Sequence, residues 1–147
     1  MKRPRGLRRP NFRIADSAQQ IVGGFLLAGP FVVTEEVWVL AGGMNGLQAV
    51  LTACVVAAIG YAALYRADTG RDPDEEQEVV GIPVRFVSLM VVSFGSVTVL
   101  ALLFDAPATF LIDRGIAGRE LWFTTAKAVT VGAVFSVVGA ATADSVF

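Results

Sequence analysis

Two adjacent carboxylates, Glu35 and Glu36, stand in the run PFVVTEEVW (residues 30–38), and Lys127 interrupts the apolar stretch AKAVTVGAVF (126–135). An ionisable side chain inside hydrocarbon is expensive and by default marks a functional site with a charge partner. Low dielectric favours the neutral form of an isolated carboxylic acid, whereas an ammonium beside it favours the carboxylate. One glutamate paired with Lys127, and the other able to take up a proton, would form a site for protons or small cations, with the Thr34 hydroxyl alongside. Other chemistries find little support. The chain has no histidine and one cysteine, Cys54, which removes imidazole triads, His-based zinc sites, intrachain disulfides and multi-thiolate clusters. It has no Gly-rich phosphate loop and no nucleophile elbow, so no catalytic residue, metal or cofactor is expected.

These residues need elements to hold them. The 147 residues are 54% hydrophobic, with a mean hydropathy of +0.63, above the ~45–50% apolar share of soluble domains. A membrane-crossing helix takes ~20 mostly apolar residues, and four segments qualify, near 17–41, 44–65, 83–104 and 121–143. Between them lie a Gly-rich turn (GGMNG, 42–46), a charged acidic loop (66–82) ending at a proline, and a mixed connector (105–118). The expected fold is all-α: a basic arm (1–16), then a polytopic bundle of four transmembrane helices (17–147). The acidic loop lacks the glycine and the terminal glutamate of a calcium-binding loop, carrying Pro73 and Val79 at those positions, and reads as a solvated hairpin.

Basic residues set the expected orientation, because Lys and Arg beside helix ends favour the cytoplasm. Six precede the first apolar run, and Arg66, Arg71 and Arg85 flank the acidic loop, against Arg114 and Arg119 on the opposite side. Both termini and the acidic loop are therefore expected in the cytoplasm, with the chain in the cytoplasmic membrane. The arm suits anionic headgroups rather than nucleic acid, since it abuts a membrane helix and carries little aromatic interleaving. RRPNF (8–12) is a poor twin-arginine signal followed by no small-residue cleavage site, so the first helix is expected to be retained.

At ~1.5 Å per residue the glutamates would lie ~7–9 Å below the outer end of the first helix, and Lys127 ~9 Å below the same boundary. Helical spacing puts Ser17, Gln20, Gly24, Ala28, Phe31, Glu35 and Trp38 near one face, with Glu36 turned away unless Pro30 rotates the segment. Small residues mark helix contacts: Gly24 and Ala28 on the first helix, and Ala128, Gly132, Ser136 and Gly139 on the fourth. Two alternatives stay open. A helix ending at Val33 would leave both acids at the surface with Trp38 as an interfacial anchor, and Lys127 would snorkel along lipid if it faced away from the small stripe. Asn45, Gln48, Thr52, Ser93, Ser96 and Thr98 read as hydrogen bonds between helices rather than as a polar path. Asp16 and Asp144 fall at the cytoplasmic boundary, where a solvated carboxylate needs no special role.

GPFVVTEEVW (29–38) and KAVTVGAVFSVVGAATAD (127–144) resemble a family of prokaryotic integral membrane proteins of unknown function. Its pattern of a Pro, a Thr-x-Glu-x-Trp and a later Lys with a Gly-Ala element falls here on Pro30, Thr34, Glu36, Trp38, Lys127, Gly139 and Ala140. The acidic loop and Arg-rich arm are similar to halophilic archaeal versions. The resemblance implies a membrane location and no known activity, and it favours Glu36 over Glu35. Longer relatives imply that a four-helix chain assembles with copies of itself or with a partner membrane subunit. Two functions follow as expectations: a small proton or cation transporter or channel component built on Glu35, Glu36 and Lys127, or a non-transporting structural or accessory subunit. An enzyme ranks third, for want of a nucleophile with its base.

Overall fold

A computed structural model describes residues 12–67, 70–75 and 78–146. Most of the basic arm and part of the acidic loop lie outside these residues.

Where the sequence predicts one span over 17–41, the chain folds as two helices, α1 (Ile14–Val32) and α2 (Glu35–Gly43), bent 80° apart. Pro30 lacks the amide that would bond the Leu26 carbonyl, and its ring crowds that turn. The helix ends two residues later. Val33 and Thr34 form the corner, with Thr34 extended (φ −99°, ψ 117°) before α2 begins. The corner is closed by its own side chains: Thr34 Oγ1 donates to the Pro30 carbonyl (2.5 Å) and Trp38 Nε1 to the Val32 carbonyl (3.0 Å). Two of the C-terminal carbonyls that a helix leaves without amide partners are thereby satisfied.

The next three long helices follow the expected boundaries more closely. A reciprocal cap opens α3 (Gly46–Ala62), in which Asn45 Oδ1 accepts from the Gln48 amide (2.8 Å) and Gln48 Oε1 from the Asn45 amide (2.9 Å). A π-helical turn, Ala63–Ala67, extends α3. A short hairpin follows, β1 (Glu78–Val79) paired antiparallel with β2 (Ile82–Pro83), turning on Val80 and Gly81, both at positive φ. This leads into α4 (Val84–Leu103). The mixed connector folds into α5 (Ala106–Phe110) and a single 3-10 turn before α6 (Arg119–Val146). Among the described residues, three helices are long and apolar enough to cross a membrane, and four if bent α1 and α2 count as one span.

At the centre, α6 packs against α1, α2, α3 and α4. Its small residues allow the approach: a Cβ added at Gly23 would overlap the Gly139 carbonyl oxygen and lie 2.7 Å from Ala143 Cβ, and one at Gly132 would lie 2.7 Å from Val97 Cγ1. Ser136 Oγ donates to the Gly24 carbonyl (3.1 Å), and Ala28 and Ala128 are buried in the same seam. Ser93, Ser96 and Thr98 bond carbonyls one turn back in α4, and Thr52 does so in α3, rather than reaching between helices. Outward faces are apolar, as at Leu47, Leu51 and Val55 of α3 and Val91 and Leu102 of α4. Two apolar clusters fill the bundle, one around Trp38 and Leu111 and one around Leu89 and Val137.

The backbone contact between α1 and α6 predicts unequal costs for one substitution at two glycines. Gly23→Ala forces an extra methyl into a filled site and should destabilise by ~1–3 kcal/mol. Gly29→Ala meets no atom within 4 Å and should be neutral or stabilise by up to ~1 kcal/mol. Reversible unfolding in detergent micelles measures both, and equal midpoints would show that the contact does not limit stability.

Candidate functional site

The glutamates lie beyond the bend, at the start of α2, and not within one continuous first helix. Both are exposed first-turn residues of α2, where negative charge complements the positive end of the helix dipole. Glu35 Oε1 pairs with Arg114 Nη2 of the 3-10 turn after α5, both side chains being about half exposed. The first helix ends at Val32, which is the helix end that the surface alternative requires. Trp38, expected as an interfacial anchor, is buried, stacks on Phe110 (6.0 Å between centroids) and bonds the end of α1.

Lys127 is buried and neither snorkels nor pairs with a glutamate. Its Nζ donates to the Met44 carbonyl (2.7 Å), the C-cap of α2, and lies 4.9 Å from the centroid of the Phe123 ring. A cation at the carbonyl end of a helix is stabilised by the dipole, and the aromatic face adds to it. Charge thus complements both ends of α2: Glu35 and Glu36 at its start, Lys127 at its finish. Met44, whose carbonyl Lys127 bonds, lies about eight residues beyond Glu36, ~12 Å at 1.5 Å per residue, and no ion pair joins Glu36 and Lys127 among the described residues.

The densest polar cluster lies at the opposite end of the bundle. Asp16 and Gln20 come from α1, Arg85 and Ser88 from α4, and Asp144 from α6. Arg85 Nη1 meets Asp144 Oδ1 at 2.5 Å, and its Nη2 lies 3.5 Å from Asp16 Oδ2. Gln20 Nε2 donates to Asp144 Oδ2 (3.1 Å), and Ser88 Oγ donates to Gln20 Oε1 (2.7 Å). Ser17 and Ser88 hydroxyls sit 3.0 Å apart. From the acidic loop, Arg71 Nη1 approaches Asp144 Oδ2 (4.0 Å) and donates to Ser145 Oγ (3.4 Å). The Asp144 side chain is 0% exposed. Asp16 also accepts from the Arg13 amide (2.8 Å), closing the first turn of α1. Far from being solvated, Asp16 and Asp144 are linked through one guanidinium that joins three helices. Among the described residues two aspartates and two arginines meet here, and their ion pairs tie α1, α4 and α6 together as a clamp.

A signal for the cluster existed in the spacing. Asp16, Gln20 and Gly24 recur every four residues along the packed face of α1, and Asp144 extends the small-residue seam of α6 four residues past Ala140. No family model, curated protein or solved structure matches this chain.

Two double-mutant cycles follow from this geometry. Removing one member of a buried pair strands its partner, costing ~3–5 kcal/mol. Arg85→Met or Asp144→Asn alone should therefore destabilise strongly in detergent, and the double variant should lose less than the sum by ~0.5–3 kcal/mol. Glu36→Gln and Lys127→Met, with no shared partner, should add to within ~0.3–0.5 kcal/mol. A coupling above that range would place the two charges in contact.

Proposed function

We propose that this chain is a non-transporting structural or accessory subunit of a membrane complex. The observation that carries this reading is that the polar groups within the bundle are engaged by its own helices. Ser93, Ser96 and Thr98 bond their own helix, Ser136 bonds α1, and Lys127 bonds the end of α2. The space at the Trp38 end of the bundle is lined by apolar side chains such as Phe31, Val97 and Val129. α3 supports the same reading from outside: only 17% of its apolar window is buried within the chain, against 50% for α6. That leaves a flank for lipid, for a second copy or for a partner subunit. Kinship with the membrane family of unknown function is part of the proposal, as is a cytoplasmic-membrane location.

A second reading, movement of protons or small cations, draws on the broken pair α1 and α2. Discontinuous helices in transporters present their ends to ions, and Glu35, Glu36 and Lys127 mark the two ends of α2. Reconstituted vesicles separate the two. The accessory reading expects no proton or cation flux above protein-free controls, and co-purification with a second subunit or a second copy under mild detergent. Flux abolished by Glu36→Gln in a folded protein would overturn it in favour of transport.

Orientation is tested on the same protein in intact cells. With Cys54→Ala as background, Ala117→Cys should react with a membrane-impermeant thiol reagent and Gly70→Cys should not. The reverse pattern would put both termini outside.

A further inference from the structure

We propose that the junction between α2 and α3 is a binding site for a primary ammonium ion, and that Lys127 fills it as a cation tethered to α6. The inference deepens the accessory reading, because it gives the end of the broken helix a fixed ion in place of a mobile one.

Three groups meet at the junction, and each attracts a cation whether or not that cation is tethered. The first is the carbonyl end of α2, the negative pole of its dipole. The second is the Met44 carbonyl. Met44 leaves the helix in an extended conformation (φ −81°, ψ 143°), and among the described residues no amide of the turn donates to its oxygen. The Lys127 ammonium does so instead, at 2.7 Å. The third is the Phe123 ring, with its centroid 4.9 Å from Nζ, within the range of a cation–π contact. Phe123 Cζ lies 3.7 Å from where a Cβ would stand at Gly46, so the start of α3 backs the same space.

Chemistry narrows the ion. A bare alkali ion needs a shell of oxygens to replace its water, whereas the contacts of Lys127 supply one carbonyl, and no carboxylate pairs with it among the described residues. An ammonium donates its N–H bonds singly and draws the rest of its stabilisation from the dipole and the ring. The lysine methylenes are covered, with the whole residue 6% exposed. A short primary alkylammonium therefore matches both the polar end of the site and its apolar stem. On its outer side the end of α2 is open: Gly42 and Gly43 are exposed, and a Cβ at either meets no atom within 4 Å.

In transporters the ends of discontinuous helices coordinate exchangeable ions. Covalent attachment replaces exchange with a high effective concentration, so the latch from α6 to α2 holds whatever cations the solution contains.

The test is chemical rescue of the purified full-length chain in detergent, read as thermal midpoint. Lys127→Ala removes the atoms from Cγ to Nζ, which are those of n-propylammonium. The variant should lose midpoint, and n-propylammonium should restore most of the loss with a saturating dependence in the ~millimolar range, the scale open to so small a ligand. Propan-1-ol, equal in size and neutral, and tetramethylammonium, charged but without N–H donors, should not. Lys127→Met fills the volume without the charge and should lose midpoint without rescue. Adding Phe123→Leu, at a half-exposed position, to Lys127→Ala should weaken rescue about two- to fivefold, as expected of one exposed cation–π contact. The wild-type midpoint should ignore all three additives.

A Lys127→Met midpoint equal to wild type would overturn the site, as would rescue by propan-1-ol to the same extent. So would failure of n-propylammonium to restore either midpoint or fold to Lys127→Ala. Vesicle flux reads the accessory proposal separately: flux with rescue intact would overturn that proposal and leave the site, whereas no rescue and no flux would overturn the site alone.

Discussion

Everything else in the bundle depends on how closely α1 approaches α6. At Gly23 and Gly139 the two backbones meet with no room for a Cβ on either side. The helices run antiparallel, so this contact determines what faces what on either side of it. Three residues back along α1 is Gln20, and five residues on along α6 is Asp144. They meet at 3.1 Å. Towards the other end, Gly24 meets Ser136, and the seam continues through Ala28 and Ala128 to the level at which α6 presents Lys127 to the end of α2. In lipid, where burial of apolar surface between helices gives little drive, such close packing and the hydrogen bonds beside it supply much of the association.

The corner at Val33 and Thr34 answers the same constraint. A helix cannot stop inside a membrane protein without partners for its last carbonyls. Thr34 and Trp38 supply two of them from the segment just beyond the stop. In that light the TEEVW run is a helix-stop and helix-start signal: Thr bonds backwards, the glutamates begin the next helix at its positive pole, and Trp returns its indole N–H to the previous one. Pro30 starts the sequence of events by weakening the turn before it.

This also explains which features were legible in the sequence. The helical class and the boundaries of α3, α4 and α6 follow from long apolar runs and turn residues, and the small seam of Gly132, Ser136 and Gly139 follows from spacing alone. The bend does not. Hydropathy averages along a chain and cannot register an 80° change of direction when Val37 to Ala41 resume the apolar run. Depth along a straight axis puts Glu35, Glu36 and Lys127 at one level, whereas the bend carries the glutamates onto the exposed start of α2 and leaves Lys127 buried at its other end. The aspartates failed the other way. Asp16 and Asp144 lie near the ends of helices, where solvent is the usual partner, yet Arg85 enters from α4 two residues after Pro83 and takes both. A residue weighed only as topological charge turns out to be the centre of the clamp.

The distribution of polarity then bears on function. Charges gather at the two ends of the bundle, Arg85 with its aspartates at one and the α2 charges at the other, while the middle holds hydroxyls that bond the carbonyls of their own helix. A pathway for ions needs polar groups that exchange partners as the ion passes. A hydroxyl donating at 2.6 Å to its own backbone, as Ser96 does, has its donor committed. Under the accessory-subunit proposal, the ties at both ends of the bundle oppose the rocking of one half against the other on which alternating access depends. On that proposal the exposed flank of α3 is the surface that a lipid or a neighbouring helix would meet, and a flank already ordered by its own helix loses little freedom when one docks.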